Sequence, residues 1–233
     1  MSSDNSNLGD SKAIISNQEG LHEKLTEVVQ RHLSHEFQKP IQAHTQQAFD
    51  EVNAHVQAFS GDIILDACCG VGQSTRILAK QNPDALVIGV DKSAHRINRN
   101  VEDHWQADNF HLVRADLNDF YRLVHLAKWP VTKHYVLYPN PWPKSKHLQR
   151  RWHGSAVFPQ MIKIGQQMIL RSNWPLYLQE FLAAIKLTGA DGAISEIPNI
   201  SKGDSPLTPF EAKYLASGQK CWQLTITLPE NSG

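Results

Sequence analysis

One stretch constrains this chain more than any other: Ile63-Ile64-Leu65-Asp66-Ala67-Cys68-Cys69-Gly70-Val71-Gly72-Gln73-Ser74-Thr75. Three branched apolar residues, an acid, small residues with two glycines and a helix-compatible run read as strand, tight turn and helix. Gly70 and Gly72 permit backbone conformations and a close ligand approach that a Cβ would block, and the following helix offers unpaired N–H groups at its start. Gln73-Ser74-Thr75 supplies no third glycine, so the dinucleotide fingerprint Gly-x-Gly-x-x-Gly is incomplete. Taken alone, these residues also fit an ordinary strand-to-helix turn.

The next two units favour a nucleotide site. Ala85-Leu86-Val87-Ile88-Gly89-Val90-Asp91 has the unbroken apolar character of a strand buried in a parallel sheet, and it ends in an acid 25 residues after Asp66. That is where α/β nucleotide folds hold ribose hydroxyls. Asp116 follows Phe110-His111-Leu112-Val113-Arg114-Ala115 in the same way. Three strands ending in carboxylates predict one crevice at the strand ends, and the missing third glycine favours an adenosyl ligand without a pyrophosphate. The pattern resembles class I S-adenosylmethionine-dependent methyltransferases. The resemblance implies a Rossmann-like α/β fold, here with an N-terminal helical extension, and S-adenosylmethionine as cofactor.

At 233 residues the chain can bury one substantial α/β core. The polar start predicts a mobile tail over residues 1–20, and apolar residues at helical spacing, broken near Pro40, predict two helices within 21–60. The catalytic domain is expected over 61–229. Lys and Arg number 23 against 23 Asp and Glu, so overall charge gives no argument for a nucleic-acid partner. Cys68, Cys69 and Cys221 offer neither zinc spacing nor a disulfide framework, and the sparse histidines offer no ligand set, so no metal is expected. No apolar run approaches membrane-spanning length, and the expected location is cytoplasmic.

Charge distribution is more informative than its sum. No Asp or Glu occurs over residues 120–179, whereas Arg122, Lys128, Lys133, Lys144, Lys146, Arg150, Arg151, Lys163 and Arg171 do. Within this stretch, Lys133-His134-Tyr135-Val136-Leu137-Tyr138 reads as the fourth strand and ends in Pro139-Asn140-Pro141-Trp142-Pro143-Lys144. Three prolines stiffen a loop at a strand end, where α/β enzymes place their chemistry. Basic residues interleaved with Trp142 and Trp152 suit phosphates and unpaired bases.

Pro139-Asn140-Pro141-Trp142-Pro143-Lys144, followed by Lys146-His147 and Arg150-Arg151, resembles the Pro-Asp-Pro-Trp-x-Lys…His…Arg-Arg signature of bacterial tRNA (guanine-N7-)-methyltransferases. Ser172-Asn173-Trp174 resembles the family's Thr-Asp-Trp, Thr208-Pro209-Phe210-Glu211 its Thr-x-Phe-Glu, and Trp222-Gln223-Leu224 its last strand. The resemblance implies that Asp66, Gly70, Gly72, Asp91, Asp116 and Asn140 line the cofactor site. Asn140 then occupies the place of the catalytic aspartate. Lys144, Lys146, Arg150, Arg151, Asn173, Thr208, Phe210 and Glu211 are implied substrate contacts, with tRNA as partner and a variable-loop guanine as target. Both family aspartates are amides here, at Asn140 and Asn173, and Cys68-Cys69 departs from the family's turn, so the chain resembles a divergent member.

Guanine N7 carries a lone pair and no proton, so its methylation requires alignment and stabilisation of charge rather than a general base. Two other readings stay open on the residues. Asn140-Pro141-Trp142 is similar to the Asn-Pro-Pro-aromatic motif of methyltransferases acting on exocyclic amines, and the two amides also fit a catalytically weakened paralogue that binds RNA or S-adenosylmethionine.

Overall fold

The computed structural model describes residues 10–99, 107–198 and 205–229. Strand β1 (Asp62–Ala67) turns Ile63, Leu65 and Ala67 into one apolar core and Ile64 into another, which is why its sequence is apolar without interruption. It pairs in parallel with β2 (Ala85–Asp91) and with β4 (Val131–Leu137). Beyond β2 lies β3 (Phe110–Arg114), and beyond β4 lies β5 (Gln167–Ser172), both parallel. β7 (Trp222–Thr227) runs antiparallel between β5 and β6 (Asp191–Glu196), giving the order β3-β2-β1-β4-β5-β7-β6. This is the Rossmann-like class I arrangement expected from the sequence. Its winding reverses between β1 and β4, the place where an open α/β sheet leaves a crevice.

The two expected N-terminal helices are α1 (Leu25–Ser34) and α2 (Ala43–Ala58), separated by extended chain around Pro40. Thr45, Phe49, Val52 and Val56 recur at helical spacing on the buried face of α2. Phe49 stacks on Trp129 at 5.2 Å and meets Phe120 edge-on at 5.5 Å. After the glycine turn comes α3 (Gln73–Gln81), then α4 (Ala94–Ile97), capped by Ser93. Residues 100–106 lie outside the described residues. Asp116 caps α5 (Leu117–Leu126), which packs on α2 and on the short α6 (Phe158–Met161). Helices α7 (Pro175–Lys186) and α8 (Pro209–Ala216) complete the fold.

Of the stretch expected to form a mobile tail, the structure describes residues 10–20. Residues 1–9 lie outside the described residues, but residues 10–20 run as an extended strap against the body. Its polar groups bond to distant chain: Ser11 N–H donates to Ser217 Oγ at 3.0 Å and Ser16 Oγ to the Pro143 carbonyl at 2.7 Å. Ile14 packs against the core. The polar composition of this stretch supplies donors and acceptors for tertiary hydrogen bonds.

Candidate active site

The ends of β1, β2, β4 and β5 converge on one edge of the sheet. In the first turn Cys68, Gly70 and Gly72 all adopt left-handed backbone, with φ of 63°, 62° and 79°. A Cβ on Gly70 would meet no atom within 4 Å, so the turn is open above this residue. Gly72 differs. It is buried, and a Cβ there would lie 2.7 Å from Leu112 and 2.8 Å from the Arg76 guanidinium. Packing demands this glycine, whereas the space beside Gly70 is what a ligand can use. Burial and the neighbouring Asp91 charge push the Cys68 thiol up to about 12, so it stays protonated and is no nucleophile.

Asp66 is fully buried, and one carboxylate oxygen accepts hydrogen bonds from Ser74 Oγ at 2.6 Å and Thr75 Oγ1 at 2.7 Å. Its other oxygen, Oδ1, has no hydrogen-bond partner among the described residues. Burial outweighs the two hydroxyls and raises the carboxyl from 3.8 to about 6. Asp91 accepts from Gly70 N–H at 3.1 Å and Ser93 N–H at 2.8 Å, and pairs with Arg96 at 3.0 Å, so it braces the turn from the second strand. Asp116 accepts from the Asn118 N–H at 2.8 Å as the cap of α5. The open space at Gly70 and the unpartnered Asp66 oxygen fit an adenosyl ligand carrying an ammonium group.

The proline loop begins and turns on strained backbone, Tyr138 at φ 50° and Trp142 at φ 46°. Such conformations persist only where surroundings enforce them. Asn140 is exposed at the loop's tip, and its Oδ1 accepts from Trp142 N–H at 3.3 Å. Because that partner is a donor, the amide oxygen faces the backbone, and Nδ2 has no hydrogen-bond partner among the described residues. A 3-10 turn, Ser145–Arg150, follows the loop. Lys144, Lys146 and Arg150 are exposed around it, and the Arg150 guanidinium lies 4.7 Å over the Trp142 ring. His147, 5.5 Å edge-on to the same ring, is held below its ordinary pKa by desolvation and by Arg150, Lys146 and Lys144, a sign of concentrated positive charge.

Arg151 is the principal correction among the expected substrate contacts. Its side chain is fully buried rather than turned to a phosphate. It pairs with Glu180, also fully buried, and donates to the Trp142 carbonyl at 3.2 and 3.1 Å and to Gln18 Oε1 at 3.1 Å. His153 completes the cluster, 3.0 Å from Glu180. Burial alone would push the Glu180 carboxyl up, but the His153 hydrogen bond and the nearby positive charge outweigh it and hold the carboxyl at about 2. The sequence reading missed Glu180 and Gln18. Glu180 carried a signal: it is the first acid after the acid-free stretch and stands alone in the apolar run Pro175–Lys186.

Glu211 is likewise turned inward. It accepts from the Tyr138 hydroxyl at 2.8 Å and pairs with Arg171 at 3.0 Å, tying α8 to the ends of β4 and β5. Thr208 is buried and caps α8 by accepting from Glu211 N–H at 3.0 Å. Both side chains are buried, whereas Phe210 is half-exposed. Asn173 donates to Gln219 Oε1 at 2.9 Å. The acid-free stretch is therefore not an acid-free surface. Asp119, Glu180 and Glu211 neutralise Arg122, Arg151 and Arg171, leaving Lys144, Lys146 and Arg150 as the cations beside the loop.

Among the described residues no group of three or more His, Cys, Asp or Glu could hold a metal ion, and no helix is long and apolar enough to cross a membrane. A family model described as "putative methyltransferase" matches residues 60–224. A tRNA (guanine-N(7)-)-methyltransferase of Rubrobacter xylanophilus is 25% identical over 172 residues, covering 71% of this chain and 76% of that protein. The protein of that name from Shewanella oneidensis is 26% identical over 184 residues, covering 73% and 74%. Among solved structures, a variant 16S rRNA (adenine(1408)-N(1))-methyltransferase from Catenulisporales acidiphilia, with cosubstrate SAM, superposes with a TM-score of 0.57 at 16% identity. That match covers 79% of this chain and 93% of that one. The 16S rRNA methyltransferase KamB gives 0.55, also at 16% identity, over 77% and 94%.

Proposed function

This chain belongs to that methyltransferase family, and on that premise we propose that it is a tRNA (guanine-N7-)-methyltransferase acting on a variable-loop guanine in the cytoplasm. The observation that carries the reading is the meeting of two features at the β1/β4 switch point. One is a turn opened by Gly70 beside Asp66; the other is a stiff loop presenting Asn140 next to the exposed cations Lys144, Lys146 and Arg150.

S-adenosylmethionine, when bound, supplies a sulfonium methyl group that the N7 lone pair can take without prior deprotonation. Asp66 Oδ1 would hold the ammonium of the donor, and Asp91 and Asp116 stand at the strand ends where ribose and base edges are met. Asn140 Nδ2 is a donor with no partner among the described residues, which matches the O6 acceptor beside N7 on guanine's major-groove edge. An exocyclic amine would call on the amide oxygen instead, where it would share that oxygen with Trp142 N–H. Lys144, Lys146 and Arg150 hold phosphates, and the Trp142 ring with its stacked Arg150 offers a plane to an unpaired base. Asn173 and Phe210 form the far wall. The decisive experiment incubates the protein with S-adenosylmethionine and unmodified tRNA and analyses nucleosides by mass spectrometry. 7-Methylguanosine is expected; a methylated adenosine or cytidine amine, or no product despite cofactor binding, would overturn the reading.

A further inference from the structure

We infer that residues 11–18, outside the segment that the family model matches, form a strap whose Ser16 and Asn17 are positioning residues for the proline loop. The inference rests on the proposed function for its kinetic meaning. Three consecutive strap residues meet the loop in register. Ser16 Oγ donates to the Pro143 carbonyl at 2.7 Å; Asn17 Oδ1 accepts from Ser145 N–H at 3.0 Å while its Nδ2 donates to Ser145 Oγ at 3.3 Å. Gln18 Oε1 accepts from Arg151, whose guanidinium also holds the Trp142 and Lys144 carbonyls. Backbone groups of every residue from Trp142 to Ser145 are thus held directly by the strap or through Arg151.

The other end of the strap is tied to the opposite wall. Ser11 N–H donates to Ser217 Oγ, Gln219 Nε2 donates to the Ser11 carbonyl at 2.7 Å, and Gln219 Oε1 accepts from Asn173. The chain therefore links the loop that carries Asn140 to the wall that carries Asn173, and Ile14 seats it on the core between them. The loop needs such a partner. Trp142 sits in left-handed backbone, Pro139, Pro141 and Pro143 donate no backbone hydrogen bond, and extended chain of this kind cannot satisfy itself. Holding Trp142 to Ser145 fixes the direction in which Asn140 and Lys144 point, and a small misplacement of such groups costs rate rather than cofactor binding.

The test uses the full chain with Ser16→Ala and Asn17→Ala combined, leaving Gln18 in place so that Arg151 keeps its buried partner. Three results are expected: faster hydrogen exchange at the Ser145 amide, kcat for tRNA methylation lowered by about tenfold, the scale of one or two lost hydrogen bonds, and unchanged S-adenosylmethionine affinity. Ser16→Thr, which keeps the hydroxyl, should retain wild-type kcat. Unchanged exchange at Ser145, unchanged kcat, or a rise in kcat, which would make the strap an obstacle, overturns the inference. If the wild-type protein methylates no tRNA, the functional reading fails instead, and the exchange measurement alone still judges the strap.

Discussion

Asp66 couples cofactor binding to pH through a single side chain. Its folded pKa is raised from 3.8 to about 6, so its contribution to stability is fully present below pH 3.8 and is lost as pH rises through 6. Cofactor affinity has the opposite sign, because an ammonium pairs with the ionised form. Calorimetry should show S-adenosylmethionine affinity rising up to about pH 6 and level from there until the ligand's own ammonium loses its proton at about pH 8, with a limiting slope of about tenfold per pH unit for one coupled proton. Asp66→Asn should bind more weakly and without that slope; an unchanged slope would remove Asp66 from the ammonium site. Asn140 is the other decisive side chain. Asn140→Asp keeps an acceptor for Trp142 N–H but turns a charged oxygen toward the guanine edge in place of a donor. The charge opposes O6 in the ground state and favours the positive charge that grows on the base. A unit charge at about 4 Å is worth roughly 4 kcal/mol at an effective dielectric of 20, and half of that is roughly thirtyfold in rate. Steady-state kinetics should therefore show KM for tRNA and kcat both increased; a fall in kcat would mean that the donor matters more than the charge.

The proline loop and its 3-10 turn act as an element whose neighbouring cations serve two purposes. Lys144, Lys146 and Arg150 are exposed and so meet the counterion atmosphere of a polyanion, whereas Arg151 holds the loop's carbonyls from inside. The logarithm of tRNA affinity should fall linearly with the logarithm of salt concentration, and alanine at each of the three exposed positions should reduce the slope by about one. Arg151→Lys should leave the slope unchanged while lowering kcat, since an ammonium cannot reproduce the forked contacts with Glu180, Gln18 and Trp142. A slope change on Arg151→Lys equal to the others would show that Arg151 leaves its buried site to meet phosphate.

At the scale of the molecule the same buried cluster joins four parts of the chain: the strap through Gln18, the loop through Trp142, the segment just after the 3-10 turn through Arg151 and His153, and α7 through Glu180. Removing one partner of a buried pair costs about 3–5 kcal/mol because the other charge is stranded. Arg151→Met should lower the thermal midpoint by roughly 10 °C for a chain of this size, and adding Glu180→Leu should recover part of the loss. Lys144→Ala should change stability by less than about 0.5 kcal/mol. Glu180 is held below its ordinary 4.5, so the stability it contributes is present at neutral pH and fades as pH falls from 4.5 toward 2. Acid unfolding monitored with wild type and Glu180→Gln checks this, the variant lacking that portion of the transition.

Local physics made much of this protein legible in its sequence. Uninterrupted apolar runs ending in acids mark β1 and β2, glycines mark the turn between β1 and α3, and prolines mark the loop after β4; each signal depends on neighbours within a few residues. The class I sheet and the positions of Asp66, Gly70, Asp91 and Asn140 at its edge follow from those signals and their order. Which charges face solvent did not follow. Arg150 and Arg151 are adjacent in sequence and both read as phosphate ligands, yet one lies on the Trp142 ring in solvent and the other is sealed against Glu180, 29 residues away. Gly70 and Gly72 look alike in sequence, but only the first has open space where a Cβ would go, because Leu112 from β3 closes the second. The polar N-terminal stretch gives no sign in sequence of its partners, the Pro143 carbonyl and Ser145 amide, more than a hundred residues on. The tertiary structure decided these points because burial and pairing are properties of residues that meet only after the chain has folded.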